Sequence, residues 1–426
     1  MKRIVSCRSA WIMAAVFISA AGSLFAQQSL AWDQVKARFE AANPALKADA
    51  DNVDEVRAEE ITAYLRPNPQ FTLSADGTQI APHDGVWQPV RGTDVVPNFS
   101  YLHERDHKRE LRLESAQEGT RITESQHEDL KRNLEFTLRT AFVQTLQAKA
   151  VLKMAQDDLD YYDKIIDISR ARLNAGDIAQ IDFDRIELLR VQYESELQTA
   201  LVNLRTAKIQ LLQLMNDRTP VEQFDVNGSF DFSDTLAPLD DFRAAALAAR
   251  PDLQAALETI QQSETNHKLA ISNGSTDPTL SAWYTWNSSN NNPDGLQTLG
   301  LSVSIPLRVF DRNQGEKKRT QIDIERSQEA SEATKAQVFS DVDTAYELVQ
   351  SNIALLKPYK AKYNDEALRV RDTVTYSYQH GGASLMDFLN AQSDYRQVQL
   401  AYAQLIGAYL TAAGQLNLAV GREVIP

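Results

Sequence analysis

Two stretches of the chain place an aspartate at the same distance after a glycine. Gly176 is followed six residues later by Asp182 in "GDIAQIDF", and Gly381 is followed six residues later by Asp387 in "GGASLMDF". Glycine adopts the positive-φ conformations that reverse a helical hairpin, and a carboxylate just after the turn suits the positive end of the returning helix. These residues indicate a structural use of charge, not catalysis.

The remaining residues with chemical potential form no catalytic constellation. There is no Gly-x-Ser-x-Gly and no Walker sequence, and the only cysteine is Cys7. The six histidines are scattered, and only His103 and His107 are four residues apart, with no third ligand nearby in sequence. We therefore predict no enzyme activity, no cofactor and no bound metal.

The N-terminal segment indicates export. Lys2, Arg3 and Arg8 flank the start of the apolar run 10–26, the order of a secretory signal peptide (1–26) cleaved after Ala26. Removing three basic residues takes the net charge to −14 − 3 = −17. A chain this acidic is not expected to bind nucleic acid. No other apolar run reaches the length of a membrane-spanning helix, so membrane contact is expected through β-strands or a surface segment.

The two glycine stretches belong to a repeat that spans the chain. Residues in the second half correspond to residues 387 − 182 = 205 positions earlier in the first half. In both halves a stripe of mostly apolar residues recurs at alternating steps of three and four, and only Arg190 interrupts the first-half stripe. Such steps place side chains along one side of a helix in a coiled coil. The second-half positions are Phe388, Ala391, Tyr395, Val398, Tyr402, Leu405, Tyr409, Ala412 and Leu416.

The repeat divides the mature chain into residues 27–240 and 241–426. Each half is predicted to contain a helix, a proline-marked break, two strands, a very long helix, a glycine turn and a second long helix. The first long helix is expected from about residue 113 to 173, a length of about 90 Å at 1.5 Å per residue. Its counterpart is expected from about 315 to 379, interrupted at Pro358. These lengths predict an elongated helical bundle or barrel.

A first-half pair of segments at 70–75 and 95–102 shows the apolar–polar alternation of a strand less clearly than a second-half pair at 279–286 and 296–307. An asparagine-rich loop at 287–295 joins the last two. The pattern fits lipid-facing strands and fits equally a soluble, half-buried hairpin. Four strands in one chain leave open edges that only oligomerisation would remove.

The chain resembles the TolC-type outer-membrane efflux factors over nearly all of its mature length. Within that family it is most similar to the exit ducts of metal and resistance-nodulation systems. The resemblance is carried by Asn43-Pro44, "SIPLRVFDRNQGE" (304–316), "GGASLMDFLNAQ" (381–392) and the closing "LAVG" (418–421). It implies a mainly α fold with a small β part. Four strands per protomer would form a twelve-stranded outer-membrane β-barrel in a homotrimer, continued by a long α-helical periplasmic barrel.

The same resemblance implies partners and site residues. The partners are a periplasmic adaptor, an inner-membrane pump, and outer-membrane lipid. The resistance-nodulation class of pump is favoured, and the major-facilitator and ATP-driven classes stay open. The turns at Gly176, Gly381 and Gly382 would be adaptor-contacting tips, and Asp182, Tyr378 and Asp387 would form the periplasmic gate. Three copies of Asp387 around the axis of the trimer would make an acidic ring that attracts cations. Two departures weaken the expected lock: Ala383 stands where an arginine is expected, and Asn390 replaces a second acid.

Two other classes of protein remain as alternatives. A periplasmic adaptor would show one helical hairpin flanked by β-rich domains, and a fibrous adhesin would lack the paired strand insertions. The predicted function is an outer-membrane exit duct of a tripartite efflux or type I export system. Its cargo stays open among metal ions, organic drugs, and small peptides or siderophores.

Overall fold

The computed structural model describes residues 28–286 and 297–425. The predicted signal peptide (1–26) and the asparagine-rich loop (287–295) lie outside the described residues. In the first half, the elements in chain order are β1 (Gln28–Leu30), α1 (Trp32–Ala42), α2 (Pro44–Ala63), β2 (Gln70–Asp76), β3 (Asp94–Leu102), α3 (Lys108–Ala175), α4 (Gln180–Leu214) and β4 (Phe224–Val226).

Among the described residues, the second half repeats the helices and the paired strands of the first, but it has no counterpart of β1 or β4 and its ascending helix is in two parts. The predicted boundary at 240/241 falls in the first turn of α5, and a π-helical turn divides the ascending helix just after Pro358. The elements are α5 (Leu239–Ala249), α6 (Pro251–Ser272), β5 (Thr279–Trp286), β6 (Gln297–Ser304), α7 (Gln314–Pro358), the π-helical turn (Tyr359–Tyr363), α8 (Asn364–Gln379) and α9 (Leu385–Val420).

The Asn43-Pro44 pair separates α1 from α2 by capping. The Asn43 side-chain oxygen accepts hydrogen bonds from the backbone N–H groups of Ala45 (2.9 Å) and Leu46 (3.1 Å). Its amide nitrogen donates to the carbonyl of Leu214 at 2.9 Å. Proline suits the first helical position, where no N–H is needed. The motif therefore starts α2 and ties it to the end of α4.

The long helices form the predicted coiled-coil hairpins. α3 has 68 residues, which corresponds to about 100 Å. α4 folds back along α3, and α9 packs against both α7 and α3, so α3 joins the two halves. Every position of the second-half stripe is buried or half-buried. In the first half, Arg190 interrupts the stripe by turning outward to pair with Asp163, with Nε 2.6 Å from Oδ1.

The π-helical turn accounts for a one-residue difference between the hairpins. In the ascending helices, the buried residues Val342 and Ala345 of α7 correspond to the buried residues Leu138 and Ala141 of α3. The offset between the repeats is therefore 342 − 138 = 204 and 345 − 141 = 204 residues here. The descending helices are related by 388 − 183 = 205. A π turn accommodates one additional residue without ending the helix. The second hairpin therefore contains an insertion that the first lacks.

Strands β2, β3, β5 and β6 form one antiparallel sheet in that order. Phe71 lies opposite Phe99, Phe99 opposite Ala282, and Ala282 opposite Leu301, so these residues share one face. The exposed apolar side chains of this face are Phe71, Leu73, Val95, Phe99, Leu280, Tyr284, Trp286, Leu299, Leu301 and Val303. The other face is mostly polar, with Thr72, Ser74, Asn98, Ser100, Ser281, Thr298 and Ser302.

A second sheet was not predicted. β1 and β4 pair in parallel over three residues each, beside the core around Leu138, Phe142 and Leu211. Three residues are too few to show an alternating pattern in sequence. Among the residues the structure describes, no helix carries an apolar stretch long enough to cross a membrane.

Candidate functional site

The two predicted tips lie at the turns between the long helices. Gly176 ends α3 with φ 81°, and its N–H donates to the carbonyl oxygens near the end of that helix. Gly381 follows α8 with φ 77°. The N–H of Gly382 donates to the Ser377 carbonyl at 2.7 Å, and this glycine does not have a positive φ. Two of the three predicted glycines are therefore required by backbone conformation.

The two tips share one apolar core. It combines residues of α3 and α4 with residues of α8 and α9, namely Tyr162, Ile165, Ile166, Phe183, Ile186, Tyr193, Tyr378 and Phe388. The rings of Tyr378 and Phe388 stack with centroids 4.9 Å apart. Because both hairpins contribute to this core, neither tip can move far without exposing apolar surface to water.

Tyr378 lies inside this core, with 6% of its surface exposed. Burial raises the pKa of its hydroxyl; Arg172 opposes that effect and Asp182 adds to it. The charge of Asp182 thus acts on the buried Tyr378 hydroxyl within one chain, and the gate that these two residues are expected to form stays a prediction. The tyrosine ring is occupied by contacts of its own protomer.

Arg172 is a tip residue that the sequence did not reveal. Its guanidinium lies over the Tyr378 ring at 5.1 Å from the centroid, and Nη1 donates to the Tyr378 carbonyl at 3.0 Å. The resemblance expected an arginine at position 383, where alanine stands. Arg172 instead supplies a cation to the tip from the first hairpin, in the last turn of α3. A basic residue in the last turn of a helix before glycine is the only sequence signal for it.

Asp387 belongs to the N-terminal capping box of α9, in which Ser384 is the cap residue. Its carboxylate accepts hydrogen bonds from the Ser384 hydroxyl (2.7 Å) and the Ser384 N–H (3.2 Å). The Ser384 oxygen in turn accepts from the Asp387 N–H at 3.1 Å. These bonds lower the pKa of Asp387, so its exposed carboxylate is ionised at neutral pH. The structural interpretation of Asp387 thus has direct support, and the acidic ring stays a prediction.

His103 and His107, which are not expected to bind a metal, belong to a longer sequence pattern. The segment "HERDH" (103–107) matches the zinc-binding spacing His-Glu-x-x-His. That motif requires a helix, but β3 ends at Leu102 and α3 begins at Lys108. The Glu104 carboxylate accepts from Arg112 at 2.9 Å. No cluster of three potential ligands occurs among the described residues.

Comparison with known proteins identifies the class of protein. The sequence profile of the family described as "Outer membrane efflux protein" matches residues 37–217 and 243–422, most of the chain in two parts. The chain belongs to this family, whose members are channels, and it is a TolC-type outer-membrane protein that extends into the periplasm.

Particular relatives are distant in sequence and similar in fold. The chain is 21% identical to the cobalt-zinc-cadmium resistance protein CzcC of Cupriavidus metallidurans over 390 residues, covering 88% of this chain and 86% of that protein. It is 24% identical to the outer membrane protein TolC of Escherichia coli over 409 residues, covering 90% and 80%. The CusC structure superposes with a TM-score of 0.77 at 17% identity, covering 92% of both chains. The open MtrE channel of Neisseria gonorrhoeae gives 0.73 at 16% identity, covering 92% and 89%.

Proposed function

We propose that the chain is the exit duct of a tripartite efflux system, passing small molecules or ions from the periplasm to the outside when an adaptor and an inner-membrane pump engage its tips. The observation that carries the proposal is the two-faced sheet. One face exposes a continuous set of large apolar side chains, and the other is polar. Such a sheet suits lipid on one side and water on the other.

The position of the sheet supports the same conclusion. β3 leads within a few residues into α3, which ends at the Gly176 tip about 100 Å away. The membrane-facing sheet and the periplasmic tips therefore lie at opposite ends of the helices. β2 and β6 are the edges of the described sheet. Pairing of these edges between copies, twelve strands in a homotrimer, would leave no strand unpaired.

The internal repeat supports a ring of identical chains. In α9, Gly407 and Gly414 are buried against Gln147 and Arg139 of α3. Their repeat counterparts in α4, at 407 − 205 = 202 and 414 − 205 = 209, are Val202 and Ile209, which are 59% and 53% exposed. The face of α9 that α3 covers within one chain is therefore uncovered on α4.

A second copy supplies the matching surface. Gln144 and Val151 of α3 line the crevice that faces Leu400 of α9. Their counterparts in α7, at 144 + 204 = 348 and 151 + 204 = 355, are Leu348 and Leu355, which are 42% and 53% exposed. By the symmetry of the repeat, α7 of one copy covers α4 of the next. Head-to-tail contacts of this kind close into a ring.

The test is single-channel recording of detergent-extracted protein in planar lipid bilayers. Wild type is expected to insert and give small, cation-selective openings, because the chain is strongly acidic. Leu301→Arg, on the apolar sheet face, should prevent insertion, since a charge facing mid-membrane lipid costs about 2–4 kcal/mol. Its neighbour Ser302→Arg, on the polar face, should insert. Folded wild-type protein that never inserts would overturn the proposal in favour of a periplasmic adaptor.

A further inference from the structure

A cavity of about 220 Å³ lies where the four-stranded sheet gives way to helices. It is bounded by the segment that leads from α2 into β2, by the end of β3 and by the first turn of α3. Neither the tips nor the proposed contacts between copies use it. Its charged lining residues are Arg66, Glu104, Lys108, Arg109 and Glu110.

The cavity adjoins the apolar face of the sheet. Tyr101, which lines the cavity, lies opposite Leu280 in the sheet, and Leu280 lies opposite Val303 of that face. The pairing of the strands ends just beyond, where the His103 N–H donates to the Pro278 carbonyl at 2.9 Å. With this face against lipid, the cavity lies where hydrocarbon gives way to headgroups, the level at which barrel strands carry aromatic side chains.

One arginine fixes the shape of the cavity. Arg112 donates to both carboxylate oxygens of Glu104, with Nη2 2.9 Å from Oε2. The same guanidinium donates to the carbonyl oxygens of Ala63 and Leu65, both at 3.3 Å. These bonds join the end of α2, the connection between β3 and α3, and α3 itself, so the cavity is formed before any ligand binds. They also neutralise Glu104, which would otherwise repel an anion.

The charges around the cavity do not balance. Lys108 Nζ is 2.6 Å from Asp277, and Arg109 Nη2 is 2.8 Å from Glu110. Arg66 has no ion-pair partner among the described residues. The four cations of the cavity and its pairs are Arg66, Lys108, Arg109 and Arg112, and the three carboxylates are Glu104, Glu110 and Asp277. The cavity therefore keeps a net positive charge in a chain whose net charge is −14.

Arg109 holds an unused hydrogen-bond donor at this place. Its guanidinium lies 4.3 Å from the ring centroid of Tyr64, and its side chain is 20% exposed. The Nε–H is buried and has no hydrogen-bond partner among the described residues. A buried donor without an acceptor is unfavourable, so an acceptor that reaches it is bound with a gain. The donors of an arginine match the oxygen atoms of a phosphate in geometry and charge.

The segment that follows β6 makes the same end of the sheet more basic. Residues 305–319 contain five cations and two carboxylates. Exposed Leu307 and Phe310 alternate there with Arg308 and Arg312, a pattern that suits the boundary between acyl chains and headgroups. This segment and the cavity flank the end of α6, because the Asn313 side chain donates to the Ala270 carbonyl at 2.8 Å, and Ser272 donates to the Asp106 carbonyl at 2.5 Å.

We propose that this cavity binds the phosphate of an anionic phospholipid from the membrane leaflet on the helical side, with an acyl chain along the apolar face beside Tyr101. Arg66 and Arg109 contact the phosphate oxygens. The proposal rests on the proposed function, because it takes the apolar face of the sheet to lie against lipid. A free phosphate ion has the same oxygen atoms without the acyl chain, so the test compares the two sources.

The test is native mass spectrometry of the detergent-extracted, full-length protein in a non-ionic detergent. The protein is titrated with phosphatidylglycerol, with phosphatidylethanolamine of the same acyl chains, and with inorganic phosphate. Phosphatidylglycerol is expected to saturate at one molecule per chain and to bind more tightly than phosphatidylethanolamine, whose ammonium group is repelled by the cations. Its affinity should fall as salt is added. Inorganic phosphate should not bind at the same concentrations.

Matched variants distinguish the cavity from the general attraction of lipid to cations. Arg66→Gln and Arg109→Gln should each weaken phosphatidylglycerol binding about fivefold, the contribution of one cation beside an anionic lipid surface. Arg369→Gln removes an exposed cation of α8, near the Gly381 turn, that pairs with Glu366 of its own helix, and it should have no effect. Glu110→Gln removes the carboxylate that competes for Arg109 and should strengthen binding.

Each outcome decides the proposal. Equal affinities in Arg66→Gln, Arg109→Gln and Arg369→Gln would refute the cavity as the site. Equal binding of the two lipids would refute the preference for an anionic headgroup, and inorganic phosphate that binds as tightly as phosphatidylglycerol would make this a site for the free ion. If an arginine variant does not fold, Glu110→Gln decides, because misfolding does not produce tighter binding.

The titration separates this proposal from the exit duct, because lipid binding in detergent requires no conduction. Lipid binding with the expected response to the variants, in a protein that never conducts, would refute the duct alone. A conducting protein whose lipid affinity is the same in all of these variants would refute the lipid site alone.

Discussion

The uncovered face of α4 gives the sharpest prediction about assembly. Full burial of a valine or isoleucine side chain contributes about 1.5–3 kcal/mol. Val202 and Ile209 are about half exposed in the single chain, so covering the remainder contributes about 1 kcal/mol for each. Val202→Asp with Ile209→Asp therefore removes about 2 kcal/mol per interface, or about 30-fold in the association constant, before the cost of burying two carboxylates.

Sedimentation in detergent over a range of protein concentrations measures this loss. The control is Ile61→Asp, because Ile61 is an exposed isoleucine of α2 whose repeat counterpart, at 61 + 207 = 268, is the exposed Lys268. The double variant should dissociate at concentrations where wild type and the control stay assembled. Adding Leu348→Lys and Leu355→Lys should restore part of the assembly by charge pairing. If the double variant assembles like wild type, the head-to-tail contact between α4 and α7 is wrong.

The remaining predictions concern the tips. Ser384→Ala should lower the free energy of unfolding by about 1 kcal/mol through loss of the α9 cap. Asp387→Ala should in addition raise the resting conductance in planar bilayers and weaken block by multivalent cations. Equal conductance in both variants would refute the acidic ring. Tyr378→Ala should destabilise the shared core by about 3–5 kcal/mol in thermal or denaturant unfolding, while Tyr378→Phe keeps the stacked ring and should cost under about 1 kcal/mol. Gly381→Ala should lower the free energy of unfolding by about 1–2 kcal/mol because of the positive φ of Gly381. It should also weaken adaptor binding in a pull-down assay without loss of the oligomer. Gly382→Ala should be nearly neutral in both assays.

The periodic parts of the sequence predict the structure well. The alternating steps from Phe388 to Leu416 place that side of α9 inward because a helix side chain's direction follows from its position in the turn. Strand alternation likewise predicts which face Leu299 and Leu301 share, since neighbouring side chains in a strand point to opposite sides. Both signals are local, and each repeats often enough to be recognised.

The contacts at the candidate site are not local, and the sequence misses them for that reason. Arg172 meets Tyr378 across 378 − 172 = 206 residues, and nothing near either residue specifies the other. The ion pair of Arg396 and Glu196 likewise joins residues that are 200 positions apart. The π-helical turn was not predicted, because the offset of 204 residues emerges only from the buried positions of α3 and α7. Pro358 marked the approximate place, but not the kind of turn that follows it.

The two ascending helices differ as mechanical elements. α3 is continuous from the end of the sheet to its tip, so a displacement at Gly176 is transmitted along one rigid rod to β3. The path from Gly381 to β6 contains the π-helical turn, which absorbs part of a displacement before it reaches α7. In a ring of such chains, stiff and compliant supports would alternate. A pull on the second tip would then widen the end of the ring at the glycine turns while the sheet at the other end keeps its shape.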